Sequence, residues 1–199
     1  MKNTILTLTS VMALTGAANS QTVTNGSFEA NGTTTTSGVN ANNWSWSGGA
    51  IGFDLVNKSH TGSPSGVTGD MYLEAYDSTS LGTLSQAVSG FVIGEAYTLS
   101  FDWGNRIQGA DAYDFSVGIG GQVFSQTGSG LVNMTNESLS FTAGATTETI
   151  SISFNDPGVY SNTIGALDNF VITPLTVPEP SSTALLGLGA LGLLIRRKR

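Results

Sequence analysis

The 199-residue chain is poor in charge and contains no cysteine, which excludes disulfides, thiol catalysis and thiolate metal sites. Charged residues make up 11% of it and 26 residues are glycine, a composition more typical of a secreted β protein than of a helical cytosolic enzyme. Residues 21–177 carry 13 acidic and two basic side chains, a net charge of −11, which argues against nucleic acid as a partner because phosphate binding needs Lys and Arg.

The first 20 residues predict a signal peptide. Lys2 supplies a positive start, residues 5–14 form a short apolar run, and Ala18-Asn19-Ser20 offers small residues for cleavage before Gln21. A buried first helix is the alternative, but the polar run that follows fits a mature N-terminus better. The segment therefore predicts export by the Sec machinery and removal by signal peptidase.

Residues 21–176 form one predicted β domain. Short runs alternate apolar and polar residues, most clearly at 97–103, 115–119 and 150–154, and Gly, Asn, Ser and Asp separate the runs. A period of two predicts half-buried strands. The stretch contains roughly ten such runs and no helical period, which favours a two-sheet sandwich.

Three segments of this domain carry a family resemblance. Residues 23–29 read VTNGSFE, residues 84–105 read LSQAVSGFVIGEAYTLSFDWGN, and residues 165–173 read GALDNFVIT. In this order they resemble the galactose-binding-like jelly rolls, which include many carbohydrate-binding modules and cell-wall proteins. The resemblance covers most of residues 22–173 and implies an all-β jelly-roll sandwich of about eight to ten strands, although a fold does not by itself define a function.

The same resemblance implies a structural calcium ion beside the first and last strands. Glu29 of NGSFE and Asp168 of LDN fall at matching positions, and Glu74 is a candidate third ligand. Calcium binds about six to eight oxygens from carboxylates and carbonyls, which this acidic chain can supply. The alternative is that Glu29 and Asp168 are exposed or cap backbone amides.

Two groups of residues are candidate ligand contacts. Trp44 and Trp46 lie two residues apart on a predicted strand, so their rings share a face and can form a platform for sugar rings; the alternative is the core, where Trp103 is also expected. Asp111, Tyr113 and Asp114 lie in a predicted loop at the rim of the sandwich, where binding groups often occur. The alternative is a solvated acidic loop.

Catalysis has little support in the sequence. His60 is the single histidine, so no histidine cluster can bind zinc and no second histidine can act as a base. No GxSxG motif accompanies it. The many carboxylates show no spacing that would distinguish a glycosidase pair.

The C-terminal residues predict a sorting tail. A VPEP motif precedes an uncharged apolar run at 183–195, which is shorter than the roughly 20 residues of a full membrane span, and a basic end follows. Ser181 and Ser182 can extend the run, Arg196 and Arg197 can snorkel to the membrane surface, and the basic end should stay cytoplasmic. The sorting residues are Val177, Pro178, Glu179, Pro180, Arg196, Arg197, Lys198 and Arg199.

This combination resembles the PEP-CTERM sorting signal of bacterial exosortase substrates. It implies a Gram-negative-type bacterium that makes extracellular polysaccharide, and processing of the tail by a membrane transpeptidase-like exosortase. The expected protein is an inner-membrane-anchored precursor that becomes part of the cell envelope or extracellular matrix. We expect a non-catalytic carbohydrate- or exopolysaccharide-binding module; the alternatives are a structural or adhesive biofilm protein without a sugar ligand and, less favoured, a hydrolase.

Overall fold

A computed structural model describes residues 21–38, 40–48, 53–75, 82–106, 112–154 and 165–175. They form one 3₁₀ helix, Glu29–Asn31, and eleven β-strands. The strands are β1 Thr36–Ser37, β2 Ser45–Gly48, β3 Phe53–Asn57, β4 Met71–Ala75, β5 Gly82–Ser89, β6 Ala96–Asn105, β7 Ala112–Ile119, β8 Gln122–Ser129, β9 Val132–Thr142, β10 Thr147–Phe154 and β11 Gly165–Pro174. The predicted signal peptide, Asp111 and the sorting tail lie outside the described residues. Within the described ranges, no helix is long and apolar enough to cross a membrane.

The strands form two antiparallel sheets. Sheet A has six strands in the order β1-β3-β4-β11-β6-β9, and sheet B has five in the order β2-β5-β10-β7-β8. Apart from β3–β4 and β7–β8, the neighbouring strands are not consecutive in the chain, so segments that are distant in sequence must meet before either sheet is complete. The two sheets confirm the predicted all-β sandwich.

The hydrophobic core lies between the sheets and follows the alternating pattern. Leu99 and Phe101 of β6 are fully buried, and Trp103 is partly buried against the same core. The patterns at 115–119 and 150–154 bury their apolar faces as predicted. Burial of these side chains is the main force that holds the sheets together, because each removes apolar surface from water.

The opening segment of the domain is attached to the last strand. The carbonyl of Gly26 accepts the N–H of Phe170 at 3.0 Å. Phe28 is fully buried, with its ring 5.7 Å from that of Trp44 and 6.2 Å from that of Phe170. Phe28 has a φ of 59°, a left-handed conformation that bulky residues rarely adopt, so the packing of its ring must offset local strain.

The last strand contains an irregularity at the point of this contact. The pairing of β11 with β6 shifts between Asp168 and Val171, and Asn169 has a left-handed φ of 55°. An extra residue in one strand bends it and redirects the side chains that follow. The bulge lets Leu167 and Phe170 both enter the core, although they are three positions apart and a regular strand would place them on opposite faces.

We predict that Gly26→Ala destabilises the domain by about 1–3 kcal/mol, because a Cβ at this position would overlap the carbonyl oxygen of Phe170 and force the backbone to move. Chemical denaturation measures the effect. Gly144→Ala is the matched control, since a Cβ there meets only the Glu148 carboxylate at 3.8 Å, and its effect should stay within about 0.5 kcal/mol. Equal effects of the two substitutions would contradict the proposed close approach.

Candidate functional site

Glu29 and Asp168 are anchored to the loop that leads into β4. Oε1 of Glu29 accepts the N–H groups of Asp70 and Met71, both at 2.8 Å. Oδ2 of Asp168 accepts the N–H of Thr68 at 3.1 Å. Both carboxylates therefore cap backbone amides of one loop, which is the stated alternative to calcium binding, and nothing in these contacts tests the calcium that the resemblance implies.

The same loop makes further polar contacts at this point. Gly69 has a φ of +74°, and a Cβ there would overlap the carboxylate of Glu29. Lys58 donates from its ammonium group to the carbonyl of Gly69 and forms an ion pair with Asp70 at 3.1 Å. Glycine is thus required at position 69 both for its backbone conformation and for the approach of the carboxylate.

Asp168 has an unusual electrostatic environment. The pKa of Asp168 is raised to about 8: burial is the main cause and the nearby carboxylates of Asp102 and Glu29 add to it, while the N–H groups of Asn169 and Thr68 oppose the shift. Asp102 in turn accepts from the side-chain amide of Asn169 at 3.2 Å. A cation beside Asp168 would relieve this cost, because buried carboxylates are normally paired.

The candidate metal ligands are carboxylate oxygens, which are the ligand type that a hard cation such as calcium prefers. Among the described residues, however, no group of three or more His, Cys, Asp or Glu side chains is placed to hold a metal ion. Calcium at Glu29 and Asp168 would need backbone carbonyls for the rest of its coordination.

The structure corrects the expected role of Glu74. Its carboxylate is buried and accepts from Nη1 of Arg106 at 2.8 and 3.1 Å. Ala166 lies between them in the sheet, paired with Glu74 on one side and with Gly104 on the other. Arg106, two residues beyond Gly104, reaches Glu74 across this small side chain, so Glu74 is half of a buried ion pair rather than a third calcium ligand.

A hydrogen-bonded chain extends from this ion pair. The hydroxyl of Tyr72 donates to Glu74 at 3.0 Å, and the hydroxyl of Ser63 lies 3.0 Å from that of Tyr72. Burial raises the pKa of Glu74, and Arg106 and Tyr72 oppose the shift; burial and the neighbouring Glu74 also raise the pKa of Tyr72. With a raised pKa, Tyr72 is poorly suited to act as a general base for Ser63.

Arg106 is not among the site residues predicted from the sequence, although its isolation among acidic residues is a signal. Only two basic residues, Lys58 and Arg106, occur among the 13 acids of residues 21–177. A lone arginine at the end of an apolar strand pattern in such a domain is a candidate partner for a buried acid, because buried carboxylates need a cation or hydrogen-bond donors.

The structure also corrects the expected tryptophan platform. Trp44 is only 4% exposed, its indole N–H donates to the carbonyl of Asn25 at 3.2 Å, and its ring lies 5.6 Å from that of Phe170. Trp46 in β2 is half-buried, with its ring 5.5 Å from that of Phe53. Both rings pack on the core, the alternative that the sequence left open, so they do not form an exposed sugar-stacking surface.

The rim-loop prediction changes in a different way. Tyr113 and Asp114 lie within β7 rather than in a loop, and Asp114 pairs with Thr127 of β8. Asp114 neighbours the buried Phe115 in sequence, so its side chain lies on the opposite, outer face of sheet B. His60, the single histidine, occupies an exposed turn in which its Nδ1 lies 3.4 Å from the carbonyl of Thr61.

The outer face of sheet B carries a row of small hydroxyl side chains. The strand register aligns one outward residue from each of the five strands, and Thr83 and Ser153 contact each other through their hydroxyls at 3.1 Å. The row consists of Ser47, Thr83, Ser153, Ser116 and Ser125. A second row contains Ser45, Ser85, Ser151, Gly118 and Val123. We call these ten residues the hydroxyl face; none of them is charged.

The outer face of sheet A differs, because residues 58–70 cover part of it. Ser65 accepts the N–H of Met134 at 2.9 Å through its carbonyl, and Val67 packs with Met134 against a small cluster that includes Tyr72 and Ala166. Glu74 and Asp168 are buried on this face. The covered face of sheet A therefore contains the buried carboxylates of Glu74 and Asp168, whereas the ten residues of the hydroxyl face are uncharged and have Asp114 as a neighbour at one edge.

Comparison with known proteins gives one sequence match and a set of structural matches. Residues 176–199 match the PEP-CTERM protein-sorting motif, which confirms the resemblance of the tail. No curated protein matches the chain in sequence. The sorting motif implies processing by exosortase.

Solved structures share the fold of the middle domain. The carbohydrate-binding module TmCBM61, determined in complex with β-1,4-galactotriose, aligns with a TM-score of 0.51 at 15% identity, over 78% of this chain and 99% of that one. The arabinose-bound α-L-arabinofuranosidase MgGH51 and tailspike protein 4 of bacteriophage CBA120 also give TM-scores of 0.51, at 15% and 14% identity, over 79% and 78% of this chain but only 27% and 21% of theirs. The chain thus consists of a sandwich that resembles carbohydrate-binding modules, followed at its C-terminus by a PEP-CTERM motif.

We predict that Arg106→Met destabilises the domain by about 3–5 kcal/mol at neutral pH, because it leaves the buried carboxylate of Glu74 without its cation. Without the guanidinium the pKa of Glu74 rises further. The loss should therefore shrink as the pH falls and the carboxylate becomes protonated. Denaturation of wild type and variant across the acidic range measures this.

Two further variants control for this prediction. Lys58→Met removes the same charge from an ion pair whose side chains are 48% and 53% exposed, and should cost at most about 1 kcal/mol. The double variant Glu74→Gln with Arg106→Met should recover much of the loss, since no unpaired charge stays buried. A pH-independent deficit in the single variant, unrelieved in the double variant, would refute the ion-pair explanation.

Proposed function

We propose that this protein is an exported, exosortase-sorted surface protein whose sandwich binds carbohydrate without catalysis, through the hydroxyl face of sheet B. The observation that carries the proposal is the register of that sheet, which aligns five hydroxyl side chains in one row. Neighbouring strands lie about 4.8 Å apart, so the row offers evenly spaced donors and acceptors across the whole sheet.

The composition of this face favours a neutral polysaccharide chain. Polyanions are disfavoured because the domain has a net charge of −11 and the hydroxyl face offers no Lys or Arg. The hydroxyls of a neutral glycan can exchange hydrogen bonds with serine and threonine, whose short side chains lose little conformational freedom on binding. A fixed, flat array also suits an extended ligand better than a single sugar.

A structural or adhesive role without a sugar ligand is the second candidate. It is favoured by the burial of Trp44 and Trp46, because an exposed aromatic platform is one common means of holding a sugar ring. A hydrolase is less favoured. In the described part of the site, the buried carboxylate of Glu74 is engaged by Arg106 and that of Asp168 by backbone N–H groups.

We predict that Ser116→Lys lowers retention of the full chain on the host's neutral exopolysaccharide at least about tenfold, a loss of roughly 1.4 kcal/mol. The long charged side chain would lie across the centre of the hydroxyl row. Affinity electrophoresis measures retention, and a glycan array identifies the sugar. The melting temperature should hardly change, because Ser116 lies on the outer face of its strand.

Ser138→Lys is the matched control, since it makes the same substitution on exposed strand β9 of sheet A. It should leave retention unchanged. A wild-type chain that binds no glycan would favour the adhesive alternative. Equal losses in the two variants would place the binding surface elsewhere.

We further propose a structural calcium ion at Glu29 and Asp168. Support comes from their shared anchorage on one loop and from the burial of the Asp168 carboxylate close to those of Asp102 and Glu29. Such an ion would join the opening segment, the loop before β4 and the last strand. Its contribution would be to stability rather than to direct contact with a glycan on the opposite sheet.

We predict that calcium raises the melting temperature of the metal-free chain. A ligand specific for the native state adds about 2.7 kcal/mol at a hundredfold excess over its Kd. Asp168→Ala should abolish the response, whereas Glu137→Ala, which removes a carboxylate from edge strand β9, should retain it. Identical melting curves for wild type with calcium and with chelator would rule out the ion.

A further inference from the structure

Two adjacent apolar side chains are exposed at one end of the sandwich. Val92 and Ile93 form the turn between β5 and β6, and they are 50% and 62% exposed. Single exposed apolar residues are common and need no explanation. Two successive ones on a turn, in a chain otherwise rich in small polar residues, are a candidate contact surface.

The turn is held rigidly. The N–H of Val92 donates to the hydroxyl of Tyr97 at 3.0 Å, and the N–H of Gly94 donates to the carbonyl of Ala143 at 2.9 Å. Phe91 is buried beneath the turn, with its ring 4.9 Å from that of Tyr97. The exposed pair therefore projects from a fixed base and does not fold back into the core.

The chain leaves the domain at the same end. The N–H of Leu175, the last described residue, donates to the carbonyl of Ala96 at 2.9 Å, and Ala96 lies only three residues beyond Ile93. Leu175 is itself 45% exposed. Three exposed apolar residues thus lie at the end of the sandwich where the described chain ends, and we call Val92, Ile93 and Leu175 the apolar end.

The length of the connection places this end near the membrane. Seven residues, 176–182, separate Leu175 from the apolar run that starts at Thr183. Such a segment spans at most about 25–30 Å even when fully extended. A domain tethered this closely by an inserted tail keeps the apolar end at a high effective concentration beside the bilayer.

We propose that the apolar end rests in the outer interface of the inner membrane in the tail-anchored precursor. This inference depends on the sorting part of the proposed function. The partner is a zwitterionic lipid surface, because the contact is apolar, while the exposed Glu95 and the net negative charge of the domain disfavour anionic headgroups.

The contact would be conditional on the tail. Membrane attachment generally needs two signals, and a small apolar contact alone is readily reversible. With the tail inserted, the apolar end fixes the orientation of the domain and keeps the VPEP motif at the bilayer surface, within reach of a membrane-embedded protease. Once the tail is cleaved, the apolar end alone would not hold the domain, which is then released.

The absence of native cysteine allows a direct test. Ile93→Cys and Leu131→Cys would each be introduced into the full chain, labelled with a polarity-sensitive dye and reconstituted into zwitterionic nanodiscs. Leu131 is the matched control, because it is an apolar turn residue, 45% exposed, that precedes Val132. Val132 pairs with Asn105, at the other end of β6 from Ala96. The dye at position 93 should shift to the blue and be quenched several-fold more by a lipid-borne quencher than the dye at 131.

Each other outcome is decisive. Equal, water-like signals from the two dyes in a chain that co-purifies with the nanodiscs would overturn the membrane contact and leave the sorting function intact. A chain that does not co-purify would overturn the anchoring and, with it, this inference. Protection at position 93 that appears only when exosortase is also present would identify the enzyme, not lipid, as the partner and would also overturn the inference.

A second variant tests whether the contact fixes the orientation of the domain. Val92 and Ile93 are replaced with Ser in the chain labelled at 131. The dye should become more mobile on the nanodisc, and unchanged anisotropy would count against the contact.

Discussion

The packing of Phe28 against Trp44 and Phe170 joins the first segment of the domain to its last strand, and the rest of the sandwich depends on this contact. The chain has no disulfide to hold such distant segments together, so apolar burial must offset the entropy of closing the loop between them. Aromatic pairs contribute roughly 0.5–1.5 kcal/mol each beyond their buried area. The strained φ of Phe28 is tolerated for this reason.

The same junction explains the chemistry of sheet A. Once the opening segment lies beside β11, Glu29 and Asp168 both reach the loop before β4 and accept its backbone N–H groups. That loop covers the outer face of the sheet, which buries Asp168 and raises its pKa. Polar groups under a loop must be satisfied locally, and this accounts for the dense hydrogen bonding of this face.

Sheet B has the opposite character. Its inner face is apolar, and its outer face carries short hydroxyl side chains, some of which contact one another or a neighbouring strand's carbonyl, as Thr83 and Ser153 do at 3.1 Å. The described chain ends at one end of the sandwich. The outer face of sheet B lies along the side of the sandwich, away from this attachment point, so it stays accessible in a tethered domain. The molecule thus combines a buried structural face, an open polar face and an apolar end at which the chain departs.

The sequence by itself determined several of the strands and the sorting signal of the protein. A period of two in β6, β7 and β10 is a local property, and so is the order of motif, apolar run and basic residues in the tail. Tertiary structure decided what periodicity cannot express. Sequence spacing puts the two tryptophan rings on one side of the chain but does not say whether that side faces the core or the solvent. In the sandwich, Trp44 and Trp46 both pack against the core. Glu74 and Arg106 meet because β11 pairs with both β4 and β6 and places Ala166 between them. The hydroxyl row exists only in the register of five strands, of which β7 and β8 alone are consecutive in the chain. These contacts are long-range, so no window of sequence contains them.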